Sequence, residues 1–180
     1  MKNGHLQEWF IAKDNPPSVL HATQTAIAVV ISFLIARLFH LPEAYWAPMA
    51  TLIVMQSTFT AALPISVQYF VGTAVGAVFG AVADTFFHRN LWAFGTAVFI
   101  MGLIGVVLRV ERSAFRYASI TLAIVMLVPR TTSVSARLVA LHRFFEVSIG
   151  LAVGLVLVAL WPRIGLGVSA RINHEVRSST

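Results

Sequence analysis

The chain contains no cysteine. That excludes disulfides, thiolate metal sites and thiol nucleophiles, while leaving the cellular compartment open. Charge is scarce as well: only 11% of the 180 residues are charged, where a soluble domain carries roughly a quarter. Seven acidic residues face thirteen Lys and Arg, giving a net charge of +6 and a pI near 10.8. A positive surplus of this size can serve nucleic acid. Here the cations are scattered between apolar blocks rather than gathered on one face, which is how membrane proteins distribute topogenic charge. Nucleic acid is therefore not an expected partner. The six histidines lie far apart without an H-E-x-x-H pattern, and no glycine loop ends in the Lys-Ser or Lys-Thr of a phosphate cradle. Neither catalytic residues, a metal centre nor a cofactor is expected, and ATP hydrolysis is not an expected activity.

What fills the chain instead is apolar surface. Hydrophobic residues make up 58% of it and the mean hydropathy is +0.81. They come in blocks, several of which reach the roughly 20 residues that a membrane helix needs. The sequence predicts an all-α, polytopic membrane protein whose first partner is the lipid bilayer. Six apolar segments are expected: Val19 to Phe39, Tyr45 to Leu63, Val67 to Phe87, Leu91 to Leu108, Phe115 to Val128 and Leu141 to Trp161. Residues 1–18 place Leu6, Trp9, Phe10 and Ile11 among Lys2, Glu8, Lys13 and Asp14, which predicts a short amphipathic interfacial helix ended by Pro16 and Pro17. The first apolar block lacks a small-residue cleavage site, so it is not expected to be a signal peptide. Trp161-Pro162-Arg163 has the makings of an interface anchor and helix stop, followed by a loose polar tail over 163–180. Under this layout Lys2, Lys13, Arg109, Arg112, Arg116, Arg163, Arg171 and Arg177 fall on one side, and Arg37, Arg89, Arg130, Arg137 and Arg143 on the other. Eight cations against five favour both termini in the cytoplasm.

Two stretches of the chain are alike. YFVGTAVGAVFG from Tyr69 and RFFEVSIGLAVG from Arg143 align at one constant offset, with Tyr69, Gly72, Gly76 and Gly80 against Arg143, Glu146, Gly150 and Gly154. Upstream, ATLIVM from Ala50 resembles ITLAIVM from Ile120, and each is followed by a polar, proline-bearing break. The segments therefore divide into two three-helix copies, 19–87 and 91–162, within one module over 19–162. Three helices is an odd number, so the copies are expected in opposite membrane orientations, as in many secondary transporters. The second and fifth segments are short or interrupted by Pro48, Gln56, Thr58 and Thr60 in one and by Pro129 in the other. Interrupted segments at matching places in two inverted halves point to a midplane transport site. The plainer, less favoured reading of the fifth segment is a short helix extended by snorkelling Arg116 and Arg130.

YWAPMATLIVMQ, the small-residue VGTAVGAVFGAV helix, the tyrosine-bearing ITLAIVML helix and RFFEVSIGLAVGLVLVALWP together resemble the fusaric acid resistance and aromatic acid exporter family of bacterial inner-membrane proteins. The resemblance covers most of Glu43 to Pro162. It implies a six-helix module in the bacterial inner membrane that exports aromatic or other organic acids, driven by the proton gradient. Longer family members join two such modules through a soluble domain, which suggests a homodimer or other homo-oligomer here. Where the family often has an arginine leading into the glycine helix, this sequence has Tyr69, which weakens any arginine-based role at that point.

Within this frame the candidate residues are few. Arg143 and Glu146 stand three apart on one face at the mouth of the last segment. They read either as an anion-attracting cation with a proton-exchanging carboxylate, or as an ion pair that anchors the helix end. Arg130 adds positive potential for an anion. Tyr45 and Trp46 read as an aromatic belt beside the Pro48 helix start, or, by the resemblance, as lining for the substrate's way in. Tyr117, Gln56 and Thr58 are further candidate contacts for a small organic anion. Gly72, Gly76 and Gly80, with Gly150 and Gly154, form small-xxx-small ridges that let helices approach closely. The expected function is export of organic, aromatic-type acids with proton coupling through Glu146. The alternatives are a scaffold or channel-like membrane subunit without coupled transport, and one half of a heteromeric exporter.

Overall fold

A computed structural model of the chain describes residues 19–55, 59–87, 90–128 and 134–178, with side chains as far as Leu160. Among the described residues six α-helices occur: α1 (Val19–Leu38), α2 (Trp46–Met55), α3 (Phe59–Phe87), α4 (Leu91–Val107), α5 (Arg112–Leu127) and α6 (Ala136–Ser178). Three of them have stretches long and apolar enough to cross a membrane: Val19–Leu38, Phe59–Phe87 and Ala136–Leu160. Their outer faces carry Leu34, Val78 and Val156, each more than half exposed. Such a surface is costly in water and costs nothing in lipid, so the fold is built for a bilayer. The interfacial helix expected over 1–18, and the candidates Gln56, Thr58 and Arg130, lie outside the described residues.

Local signals explain most of the boundaries. α1 and α4 end in the same way. His40 and Arg109 adopt left-handed backbone, at φ 54° and 53°. The next amide reaches back to close the turn, Leu41 to Ala36 at 3.2 Å and Val110 to Gly105 at 2.9 Å. This is the Schellman pattern, which satisfies carbonyls that the helix end leaves open. Asn90 caps α4 by accepting the Trp92 amide at 2.9 Å.

Two boundaries differ from the sequence reading. The second segment was expected to reach Leu63, yet Phe59–Leu63 belongs to α3, which carries Pro64 inside it. Pro64 is the sixth residue of α3, where a proline loses one backbone hydrogen bond and crowds the carbonyl four residues back, a cost the helix can meet by bending. Likewise α6 does not stop at Pro162; its backbone stays helical to Ser178, although a loose tail was expected there. The 10 residues described for α2 span about 15 Å.

Packing follows the glycines. A Cβ added at Gly76 would collide with the Ala118 carbonyl, and one at Gly150 with the Ala47 carbonyl. One turn on, a Cβ at Gly80 would stand 2.9 Å from Val125 Cβ, and one at Gly154 3.1 Å from Val54 Cβ. The α3–α5 and α2–α6 contacts therefore use matching positions: Ala118 and Val125 in one, the equally spaced Ala47 and Val54 in the other. α1 covers α2 and α6, α4 covers α5 and α3, and α3 meets α6 at the centre.

Candidate functional site

The contact between α3 and α6 carries the polar centre of the molecule. Arg143, on the third turn of α6, is 2% exposed, and Glu146 is fully buried. The sequence reading set both at the mouth of an apolar run; protein encloses both. A buried guanidinium needs partners, because losing its hydration costs several kcal/mol. Two aromatic residues supply them. The Trp46 ring lies under the guanidinium carbon at 3.9 Å, a cation–π contact contributing on the order of 1–2 kcal/mol when desolvated. On the other side the guanidinium faces the hydroxyl of Tyr69 and interacts with it electrostatically. Its Nε and Nη1 have no hydrogen-bond partner.

Glu146 faces a different neighbour. Its Oε1 accepts the backbone amide of Glu43 at 3.0 Å, while Oε2 has no hydrogen-bond partner. Glu43 sits in the turn between α1 and α2, and its Oε2 accepts the indole N–H of Trp46 at 2.8 Å. The two buried charges are thus bound to one turn: Glu146 through the Glu43 amide, Arg143 through the ring that Glu43 holds.

On the far side of Arg143 the Tyr69 ring stacks on Tyr117 with centroids 4.1 Å apart. The Arg116 guanidinium stands 5.4 Å from the Tyr117 ring. Glu43, Trp46, Arg143, Tyr69, Tyr117 and Arg116 form one continuous column. It runs from the α1–α2 turn to the start of α5 and passes through the α3–α6 contact. The column has an internal correspondence. Arg143 on Trp46 in one half matches Tyr69 on Tyr117 in the other, and Glu146 beside Glu43 matches Gly72 beside Ala114. Cavities flank both ends. One of about 490 Å³ is lined by Arg37, His40 and Tyr45. The other, of about 690 Å³, is lined by Phe99, Arg109, Arg112 and Phe115.

The structure therefore brings together four of the residues singled out from sequence: Trp46, Tyr117, Arg143 and Glu146. Tyr45 stands beside Trp46, with ring centroids 5.4 Å apart, and is about half exposed. Partial burial, then the charges of Glu43 and Glu146, hold its phenol above the usual range. Sequence reasoning missed Glu43 and the part played by Tyr69. The signal for Tyr69 was its alignment with Arg143; nothing local marks Glu43. Among the described residues no three His, Asp or Glu side chains are grouped to hold a metal ion.

Comparison with known proteins places the chain. Inner membrane protein YeeA of Escherichia coli (strain K12) is 28% identical over 153 residues, which cover 81% of this chain and 41% of YeeA. The chain thus matches well under half of that relative's length. No solved structure matches it. Residues 25–157 match the family described as Fusaric acid resistance protein-like, and the chain belongs to that family.

Proposed function

We propose that this protein is a bacterial inner-membrane carrier that exports organic acids, aromatic ones among them, with proton coupling and as a homo-oligomer. The observation that carries this reading is the enclosed Arg143, sandwiched between Trp46 and Tyr69 with Nε and Nη1 unpartnered. A buried cation with open donors and aromatic walls is suited to a carboxylate attached to a ring. The column gives such an anion a way through. Arg109, Arg112 and Arg116 on the α4–α5 side attract it, since all three are exposed. Tyr117 and Tyr69 offer rings to slide along, and Arg143 holds the carboxylate at the centre.

The matching contacts of α2 with α6 and of α5 with α3 support two inverted three-helix repeats that rock about the α3–α6 contact. Glu146 stands beside Arg143 without a hydrogen-bond partner on Oε2 and serves as the proton-exchanging group. Both termini are cytoplasmic in this reading. Gln56, Thr58 and Arg130 remain proposed contacts for the anion.

Binding of benzoate and related carboxylates to the purified protein tests the reading, with thermal stabilisation as the signal. Wild type should be stabilised by the acids and not by the matching alcohols, and Arg143→Gln should lose the effect. Stabilisation that survives Arg143→Gln would move the anion elsewhere. No stabilisation in wild type would favour a scaffold or channel-like subunit. Co-purification of a different polypeptide would favour one half of a heteromeric exporter.

A further inference from the structure

Glu43, in the turn between α1 and α2, is hydrogen-bonded to one buried charge, Glu146, and to the ring that covers the other, Arg143. We infer that Glu43 is a latch: it holds Trp46 over Arg143 for as long as Glu146 is ionised, and so links proton uptake at one residue to the uncovering of the other. This rests on the transport reading above for its purpose, but not for its geometry.

The chain of contacts is short. The Glu43 amide donates to Glu146 Oε1 at 3.0 Å, and Glu43 Oε2 accepts from Trp46 Nε1 at 2.8 Å. The Trp46 ring covers the Arg143 guanidinium at 3.9 Å. A hydrogen bond to an ionised acceptor is roughly twice as strong as a neutral one. When water reached through the turn delivers a proton to Glu146, the carboxylate becomes a neutral carboxyl and the hold on the Glu43 amide weakens. The turn then loosens, Glu43 moves with the indole, and the guanidinium is uncovered towards the α1–α2 side. The groups facing Glu146 are Arg143 on its own helix and Glu43 and Tyr45 in the turn, with Tyr69 beyond Arg143 on α3. Of these, Glu43 is the one hydrogen-bonded both to Glu146 and to the indole over Arg143. The other half carries Gly72 and Ala114 at the matching positions, so the latch is one-sided and works at one end of the column.

A single-tryptophan protein tests it, with Trp9, Trp92 and Trp161 replaced by phenylalanine and Trp46 kept, in nanodiscs. Quenching of Trp46 by iodide is followed from acid to alkaline pH without any substrate. The latch requires weak quenching at alkaline pH and strong quenching at acid pH. In Glu146→Gln, and in Glu43→Ala, quenching should be strong throughout and its pH dependence lost. Glu43→Gln keeps an acceptor for the indole N–H and should restore part of the alkaline protection, which separates loss of the latch from loss of fold. Trp46 quenching independent of pH in wild type, or unchanged in Glu43→Ala, would overturn the inference even where anions are carried. Conversely, a working latch in a protein that carries no anion would leave this inference standing and remove the transport reading.

Discussion

Arg143 decides the chemistry at the scale of single residues. An arginine that is 2% exposed in an apolar helix is tolerated because Trp46 gives it a π face and Tyr69 a hydroxyl. Removing either partner exposes the cost. Tyr69→Phe keeps the stack on Tyr117 but removes the hydroxyl that faces a buried cation, and should lower stability by about 1–3 kcal/mol, read as a loss of thermal stability in detergent. Arg143→Lys should not substitute for wild type in anion binding, because a compact ammonium lacks the planar fork that stacks on Trp46 and donates sideways. Carboxylate titrations against both proteins check this; equal affinities would mean that charge alone suffices. The parts of this site that were visible in sequence were those breaking an apolar pattern: Arg143, Glu146, Trp46 and Tyr117. Glu43 was not visible, because its meaning comes from a partner 103 positions away, and no local rule reports a contact of that span.

Among the elements, α3 and α6 set the packing by what they leave out. At Gly76 and Gly150 a methyl group would meet a carbonyl of the facing helix, and a backbone atom cannot turn aside as a side chain does. Gly76→Ala and Gly150→Ala should each push a helix pair apart and cost about 1–3 kcal/mol. On α4, Gly95 and Gly105 have nothing within 4 Å of an added Cβ. Alanine there should leave stability unchanged or raise it by up to about 1 kcal/mol through helix propensity. Thermal unfolding of the four variants in one detergent compares them directly. The glycine spacing was legible beforehand because close helix approach in a membrane demands small residues at fixed intervals. The limits of α3 and α6 were not. Pro64 and Pro162 read as stops, whereas a helix that continues on both sides of a proline gives up little more than one hydrogen bond and a bend.

For the whole molecule, the recurring contacts make a topological prediction. Inverted halves would put the α1–α2 turn and the α4–α5 turn on opposite faces of the membrane. The chain has no cysteine, so a single introduced thiol reports alone. Pro42→Cys and Glu111→Cys lie at exposed positions in the two turns. In intact cells a membrane-impermeant maleimide should label the first and spare the second until the cells are opened. Labelling of both from one side would exclude inverted repeats and with them the rocking motion. The central claim, that an organic anion crosses by way of Arg143, is met most directly by flux. Purified protein in liposomes, loaded with a labelled aromatic carboxylate and given a proton gradient, should empty faster than protein-free liposomes. Arg143→Gln should abolish the difference, and Glu146→Gln should make the rate indifferent to the gradient. Wild-type liposomes that empty no faster than empty membranes, or an Arg143→Gln protein that carries the acid as well as wild type, would contradict the account.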